Sequence, residues 1–442
     1  MSDSKNETAW KQLFEKYPID EIIRREGQCI LRAATINEFR EARLMTKFDH
    51  RFQLPATLSS RNLSILPVSR GSYVLSEIET FEKFTENPSV TTEEFTLPSH
   101  IESIDFSTIT SESLAINCAY VSQILADFTQ DENLLPTVSG RMSSQTFDFK
   151  IKKVENENSY LQVNVQNVQI EIDGGYEGTT SLNLIEAKNV LSSDFLIRQL
   201  YYPYRLWKNR IRKTIRPIFL IYTNGIFHFR EYRFCDPTDY NSIVLVKEKK
   251  YRLKDRSEQT LNIETLQQIL HTIPIVEEPK DVPFPQADSF ERIINLCEIL
   301  YNNTDEDYTK EALNDNYDFK EQESFDMRQV DYYTNAAIYL EFVQKVKTRG
   351  AIGLTDRGRN LFGSESIVKR QSEFIRAILS HRVFNETLTL YLQKAEKPAK
   401  EEVVQIMKAS NLHKIHSDST FERRALTILA WIEWILETID QE

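Results

Sequence analysis

Val168-Gln169-Ile170-Glu171-Ile172-Asp173-Gly174-Gly175-Tyr176-Glu177 is followed, after Gly178-Thr179-Thr180-Ser181, by Leu182-Asn183-Leu184-Ile185-Glu186-Ala187-Lys188. Both stretches alternate in the manner of half-buried strands, with Val168, Ile170 and Ile172 on one face of the first. Asp173 falls at the end of that strand, where pairing is expected to stop. In the second strand, alternation puts Glu186 and Lys188 on the same side, about 7 Å apart along the chain. The spacing therefore predicts a hairpin that brings two acids and a lysine together.

Those residue types suit one chemistry. Hydrolysis of a phosphodiester by a hard divalent cation needs oxygen ligands and an activated water, and Mg²⁺ prefers carboxylates while keeping several waters. Asp173 and Glu186 are the candidate metal-binding carboxylates, and the Ala187 carbonyl can add a third oxygen. Lys188 can orient a bound water and offset phosphate charge. Glu171 and Glu177 stand close enough to Asp173 to rival it as the first acid.

The surroundings extend the pattern from about 109 to 254. Residues 114–128 have helical periodicity, and a loop containing Gly140 and Arg141 follows. Strands are expected at 146–152, 161–172 and 182–187, a helix at 194–212, and strands at 217–222 and 226–234 about an Asn224-Gly225 hairpin turn. The order α-β-β-β-α-β-β predicts one mixed sheet with a helix on each face. In the 194–212 helix, Leu196, Leu200, Tyr204, Trp207 and Ile211 form an apolar stripe. Arg198, Arg205, Lys208 and Arg212 lie off it. Seven basic residues and no acid stand between Phe195 and Ile218, an excess suited to phosphates.

The quoted segment resembles the PD-(D/E)XK nuclease motif, with Asp173 as the first acid and Glu186-Ala187-Lys188 as the (D/E)XK element. Ile172 stands where that motif nominally has proline. The resemblance covers the 109–254 region. It implies a restriction-endonuclease-like core and catalytic roles for Asp173, Glu186 and Lys188. It also implies an assisting role for Gln199, since many such nucleases carry a glutamine on the following helix. Pro203 replaces the tyrosine that some of them place four residues later, and it is expected to kink the helix.

The flanks read differently. Residues 7–16 and 20–25 are expected helices, the second capped by Asp20, and 64–67 and 72–75 expected strands. Arg40, Arg43, Lys47 and Arg51 lie near Phe39, Phe48 and Phe52. These residues, with Gly140-Arg141-Met142-Ser143-Ser144, are similar to segments flanking the core in some type II restriction endonucleases, which suggests target reading. The polar stretch 91–103 reads as a boundary. Pro274, Pro279, Pro283 and Pro285 mark a linker. Beyond it, a helix from Met327 to about 346 and the run Gly350-Ala351-Ile352-Gly353-Leu354-Thr355-Asp356-Arg357-Gly358-Arg359 resemble the helix, strand and Thr-x-x-Gly cap of winged-helix proteins. Lys400–Ser410 is another expected helix. A last one, capped by Thr420, carries Arg423 and Arg424 on its first turn, where a recognition helix meets DNA. Its Trp431 and Trp434 read as core.

The expected fold is thus an α/β (α+β) multidomain chain. An N-terminal α+β domain (1–105) precedes a PD-(D/E)XK core of mixed sheet and flanking helices (106–272). A Pro-rich linker (273–289) leads to a helical, winged-helix-like region (290–442).

The composition bounds these readings. The 442 residues include 40% apolar and 11% aromatic residues, enough to build packed domains. The net charge is −12, so any contact with a polyanion must come from a local basic field. Four cysteines form no CxxC, which argues against a zinc ribbon or a disulfide scaffold. The start is polar, no run approaches the roughly 20 apolar residues of a membrane helix, and a cytoplasmic setting is expected. There is no Gly-x-x-x-x-Gly-Lys-Ser/Thr loop, Gly-x-Ser-x-Gly elbow or HxxxH pair. The expectation is a type II restriction endonuclease using Mg²⁺, for which Mn²⁺ can substitute. Its partners would be double-stranded DNA, a second copy in a homodimer and a cognate DNA methyltransferase. The alternatives are a structure-selective repair nuclease of the same superfamily and a non-catalytic winged-helix regulator.

Overall fold

The computed structural model describes residues 4–85, 87, 89–154, 158–254, 261–303, 308–310, 312–313, 317, 328–348, 350–364, 366–415 and 417–439. It is a mixed α/β structure that divides into two compact units. The first is built from Met1–His100, Ser111–Tyr222 and Ile226–Arg252, and the second from Ile101–Thr110, Thr223–Gly225 and Leu253–Glu442. Residues 4–100, 111–222 and 226–252 thus share one unit, where a domain boundary is expected at 105/106.

The reason lies in strand pairing. The expected single sheet is two. The larger has seven strands in the order Thr92–Phe95, Ile243–Leu253, Ile226–Phe234, Thr214–Thr223, Ser181–Lys188, Gln169–Glu177 and Leu135–Ser143. Ser181–Lys188 runs parallel to Thr214–Thr223 and antiparallel to Gln169–Glu177, so the sheet is mixed. The second sheet takes Cys29–Arg32, Ser72–Ser76 and Ser64–Ser69 from the N-terminal segment and joins them to Tyr160–Gln166 and Thr146–Lys152. The expected 161–172 strand breaks at Asn167, whose positive φ of 52° turns the chain from one sheet into the other.

Other departures are local. The stretch read as a boundary holds the Thr92–Phe95 edge strand, and the loop expected around Gly140 is the Leu135–Ser143 strand. The 114–128 helix is two helices, Glu112–Val121 and Ile124–Thr129, separated where Gln123 takes φ 67°. Pro18, not Asp20, precedes the Ile19–Glu26 helix. The Asn224-Gly225 turn has φ values of 49° and 76°, the left-handed pair that a tight hairpin requires.

The helix after the motif is shorter than expected, Arg198–Lys208, because Asp194–Leu196 is a strand paired with Phe81–Lys83. Pro203 lies inside it. Every residue from Leu200 to Leu206 is buried. Leu182, Leu184 and Phe219 of the seven-stranded sheet share one apolar cluster with Phe147, Phe149 and Val163 of the five-stranded sheet and with Leu200, Tyr201 and Tyr202 of the helix. Tyr201 and Tyr202 meet Phe147 and Phe149 at ring separations of 5.3 to 6.4 Å. The aromatic payload of this helix therefore faces two sheets, not one sheet and solvent.

The second unit is mainly helical. Its small sheet orders Tyr308–Thr309, Ala351–Leu354 and Val343–Lys345. The expected helix before it spans Arg328–Tyr339, and Met327 lies outside the described residues. Thr355 caps Asp356–Phe362 by accepting the Gly358 N–H at 3.0 Å, as the Thr-x-x-Gly pattern predicts. The proline-rich segment 273–289 has no helix or strand, yet it is packed: Phe284 and Ala287 are buried, and the Trp431 indole donates to the Ala287 carbonyl at 2.7 Å. The last helix, Asp418–Thr438, is capped by Ser417 rather than Thr420. Trp431 and Trp434 are core, as expected.

Candidate active site

Asp173 and Ala187 meet across the hairpin. Registered pairing between the two strands runs from Leu182↔Glu177 to Ile185↔Gly174 and then stops. Asp173 is the first residue past the last pair. On its other side the register with Leu135–Ser143 shifts twice, between Pro136 and Val138 and between Val138 and Gly140. Such irregularities free a strand residue from its ladder. The Asp173 carboxylate uses that freedom to accept the Ala187 N–H at 2.9 Å. A strand residue presents its N–H and C=O to the same neighbour, so the Ala187 carbonyl faces the same gap.

Glu186 and Lys188 share a face, as alternation requires. Glu186 is 8% exposed. Its Oε1 accepts from Lys188 Nζ at 2.6 Å and from Gln199 Nε2 at 2.5 Å. Burial pushes the Glu186 carboxyl up to about 8; Asp173 and Asp49 add to the shift and Lys188 opposes it. Burial also works against the Lys188 ammonium. Four carboxylates, Glu186, Asp49, Glu112 and Asp173, outweigh it and hold the lysine above its ordinary range. Lys188 is therefore a charged lysine set among acids.

Two of those acids carry no signal in the local sequence. Glu112 opens its helix beside the Ser111 cap and stands 3.7 Å from Lys188. Asp49 comes from the N-terminal segment. It is held by the Leu196 N–H on its carbonyl at 2.9 Å and by its own N–H on Gln53 Oε1 at 2.7 Å. Beside it, His50 Nδ1 sits 2.6 Å from the Asp194 carbonyl. The short pairing of Asp194–Leu196 with Phe81–Lys83 and these bonds help bring position 49 to position 188.

The donors present suit a hard cation: two carboxylates on adjacent strands and a main-chain carbonyl, with Asp49 Oδ1 and Gln199 Oε1 buried and unpartnered nearby. Among the described residues, no three His, Cys, Asp or Glu side chains converge as a preformed metal cage. Mg²⁺ commonly binds through one or two carboxylates and keeps its waters, so the set fits that ion. A cavity of about 530 Å³ opens beside Asp173, lined by Ser113, Asn117, Thr137, Ser139 and Glu171 among others.

The rivals of Asp173 are occupied elsewhere. Glu171 pairs with Arg141 at 3.3 Å, both exposed, and Glu177 pairs with Lys213 at 2.7 Å.

The basic residues divide. Lys208 and Arg212 are exposed. Arg198 is half-buried, with its guanidinium 5.8 Å from the Tyr202 ring. Arg205 is 8% exposed, donates to the Asp148 carbonyl and the Tyr201 hydroxyl at 2.8 Å, and stacks on Phe147. It serves the core and is not on a phosphate-facing surface, because the helix that carries it is covered on both sides. In the second unit, Arg423 pairs with Asp288 at 2.9 Å and Arg424 is half-buried. With the helix starting at Asp418, both lie in its second turn, not its first.

Comparison with known families places all of these segments in domains without an assigned function. Residues 7–75 match a domain of unknown function (DUF6996), residues 76–252 a second (DUF6997) and residues 292–440 a third (DUF7226). No curated protein and no solved structure matches the chain. Asp173, Glu186, Lys188, Gln199 and Glu112 all fall in the 76–252 match, and Asp49 falls in the 7–75 match.

Proposed function

We propose that this chain is a Mg²⁺-dependent endonuclease acting on double-stranded DNA, with a PD-(D/E)XK-like centre at Asp173, Glu186 and Lys188. The observation that carries the reading is the Asp173–Ala187 hydrogen bond at 2.9 Å. It puts the first acid against the middle of the Glu186-Ala187-Lys188 triplet at the point where strand pairing ends.

Each residue then has a task. Asp173 and Glu186 would hold the cation, with the Ala187 carbonyl facing the same gap. The bound ion would supply Lewis acidity and lower the pKa of a water. Lys188, kept protonated by its acidic neighbours, can donate to a phosphate oxygen or orient the attacking water. Gln199 fixes the Glu186 carboxylate from the following helix, as outer-shell partners of metal ligands do. Exposed Lys208 and Arg212 offer phosphate contacts, and exposed Arg141 pairs with Glu171, which lines the cavity beside Asp173.

Within this reading the enzyme is a site-specific restriction nuclease, its N-terminal segment and winged-helix-like second unit reading the target. A homodimer and a cognate methyltransferase belong to the same proposal. The test is plasmid DNA with Mg²⁺, wild type against Lys188→Ala. Discrete fragments from wild type alone support the proposal. Equal cutting by both removes Lys188 from the mechanism, and cutting by neither favours a non-catalytic DNA-binding regulator.

A further inference from the structure

The second unit contains a cavity whose chemistry the site above does not use. It measures about 730 Å³ and is lined by Arg357, Lys369, Arg370 and Arg376, with Asn360, Ser364 and Ser372 between them. Among the described residues Glu373 is the one acidic side chain in the lining, and it lies 3.7 Å from Arg376. On a chain of net charge −12, four cations around one concavity are a local inversion of the field.

Arg370 is the unusual member. It is 5% exposed, packed over the Phe362 ring at 5.1 Å, with one long bond to the Ser107 carbonyl at 3.4 Å. Its Nε is buried with no hydrogen-bond partner. A guanidinium carries five N–H donors, and a buried one left so sparsely bonded is costly. Glu298 is near enough to feel its charge, but that carboxylate accepts from the Asn224 N–H at 2.9 Å and from Asn295 at 3.4 Å. Lys369 sits on the first turn of the Ile367–Leu379 helix, where helix N–H groups favour anions, and it has no ion pair among the described residues. Arg357 lies over the Phe342 ring at 4.9 Å and 3.6 Å from Glu341.

We infer that this cavity is a phosphate-binding site, and that the phosphate it takes is carried by a DNA strand. An arginine fork and two or three flanking cations match a phosphate oxygen set better than a single carboxylate. The choice of DNA over a free phosphorylated ligand rests on the nuclease reading above; the phosphate chemistry does not.

The test uses the full chain carrying Lys188→Ala, so that a duplex is not consumed, against the same chain with Lys369→Glu and Arg376→Glu added. Both added positions reach solvent, and circular dichroism checks the fold. Arg370→Lys, which keeps the charge but loses the fork, is the second variant. Binding of a fluorescein-labelled 30-base-pair duplex is followed by anisotropy across a salt series, and tripolyphosphate binding by thermal shift. The expected result is at least fivefold weaker duplex binding, a salt slope shallower by about 1 to 2, and loss of the tripolyphosphate shift. Unchanged duplex affinity and slope overturn the DNA assignment, whatever tripolyphosphate does. An unchanged tripolyphosphate shift overturns the phosphate site itself. A nuclease reading that fails shows separately, as absence of plasmid cutting by wild type.

Discussion

The Asp173 carboxylate accepts the Ala187 backbone N–H at 2.9 Å, one residue beyond the last registered pair of the two strands. A side chain there replaces the missing ladder bond, and the same oxygen pair faces Glu186 and Lys188. Structural and chemical roles of Asp173 can therefore be separated. Asp173→Asn keeps an acceptor for Ala187 and removes the charge. Melting should shift little, while Mg²⁺-dependent cleavage should fall about 10²-fold or more, the equivalent of roughly 3 kcal/mol. A matching loss of stability and activity would assign Asp173 to the fold alone.

Gln199 reaches Glu186 at 2.5 Å from the helix behind the strand. Gln199→Ala frees that carboxylate on one side, and cleavage should drop about 10- to 100-fold with the Mg²⁺ needed for half-maximal rate moving upward. Steady-state cleavage over a Mg²⁺ titration reads both; a lowered rate with no change in metal dependence would place Gln199 away from the cation.

Arg205 and its exposed neighbours should behave in opposite ways. Arg205→Ala removes bonds to Asp148 and Tyr201 from a buried site, and about 3 kcal/mol of stability should go with it. Lys208→Gln and Arg212→Gln should leave stability within about 0.5 kcal/mol and weaken duplex binding instead. Urea denaturation and duplex anisotropy on the same three variants give the comparison.

Gly175 faces Val138 at the irregular stretch beside Asp173. A Cβ there would lie 2.7 Å from the Val138 Cβ and 2.8 Å from its carbonyl oxygen. Because one of those atoms is backbone, the strand must shift. Gly175→Ala should cost about 1–3 kcal/mol and lower cleavage more than that loss of folded protein explains, since Asp173 moves with the strand. Activity normalised to the folded fraction is the discriminating quantity.

Asp127 gives a pH signature away from the site. Burial works to raise its carboxyl, but the Tyr251 hydroxyl at 2.6 Å and the Lys249 ammonium at 2.9 Å outweigh it and hold the group below its ordinary range. A depressed folded pKa means the contribution is present above the unfolded value near 4 and lost as pH falls through the folded one. Tyr251→Phe should cost about 1 kcal/mol at pH 7, less than for a sealed pair because Asp127 is partly exposed. The gap from wild type should narrow below about pH 4. Thermal melts at pH 7, 5 and 3.5 would show it; a constant gap would mean the hydroxyl acts on packing alone.

Alternation by itself put Glu186 and Lys188 on one side of a strand, because side chains in a strand repeat every two residues whatever the rest of the chain does. The Asn-Gly step likewise marked the Asn224-Gly225 turn, and the Thr-x-x-Gly pattern the Thr355–Gly358 cap, where the bond is between near neighbours in sequence. Position 49 could not be read that way. Its approach to Lys188 depends on the Leu196 N–H bonded to its carbonyl, and on a two-strand pairing of residues more than a hundred apart. The basic helix departs from its expected exposure for a related reason. Periodicity registers one apolar stripe, and Tyr201, Tyr202 and Pro203 fall off it, yet all three are buried, the two tyrosines against Phe147 and Phe149 of a second sheet that strands of the N-terminal segment complete. Local sequence thus determined which residues share a face and where the chain turns. Which surfaces close over that face, and so whether Arg205 meets solvent or Asp49 meets Lys188, was decided by pairings between distant segments whose gain appears only when both partners are in place.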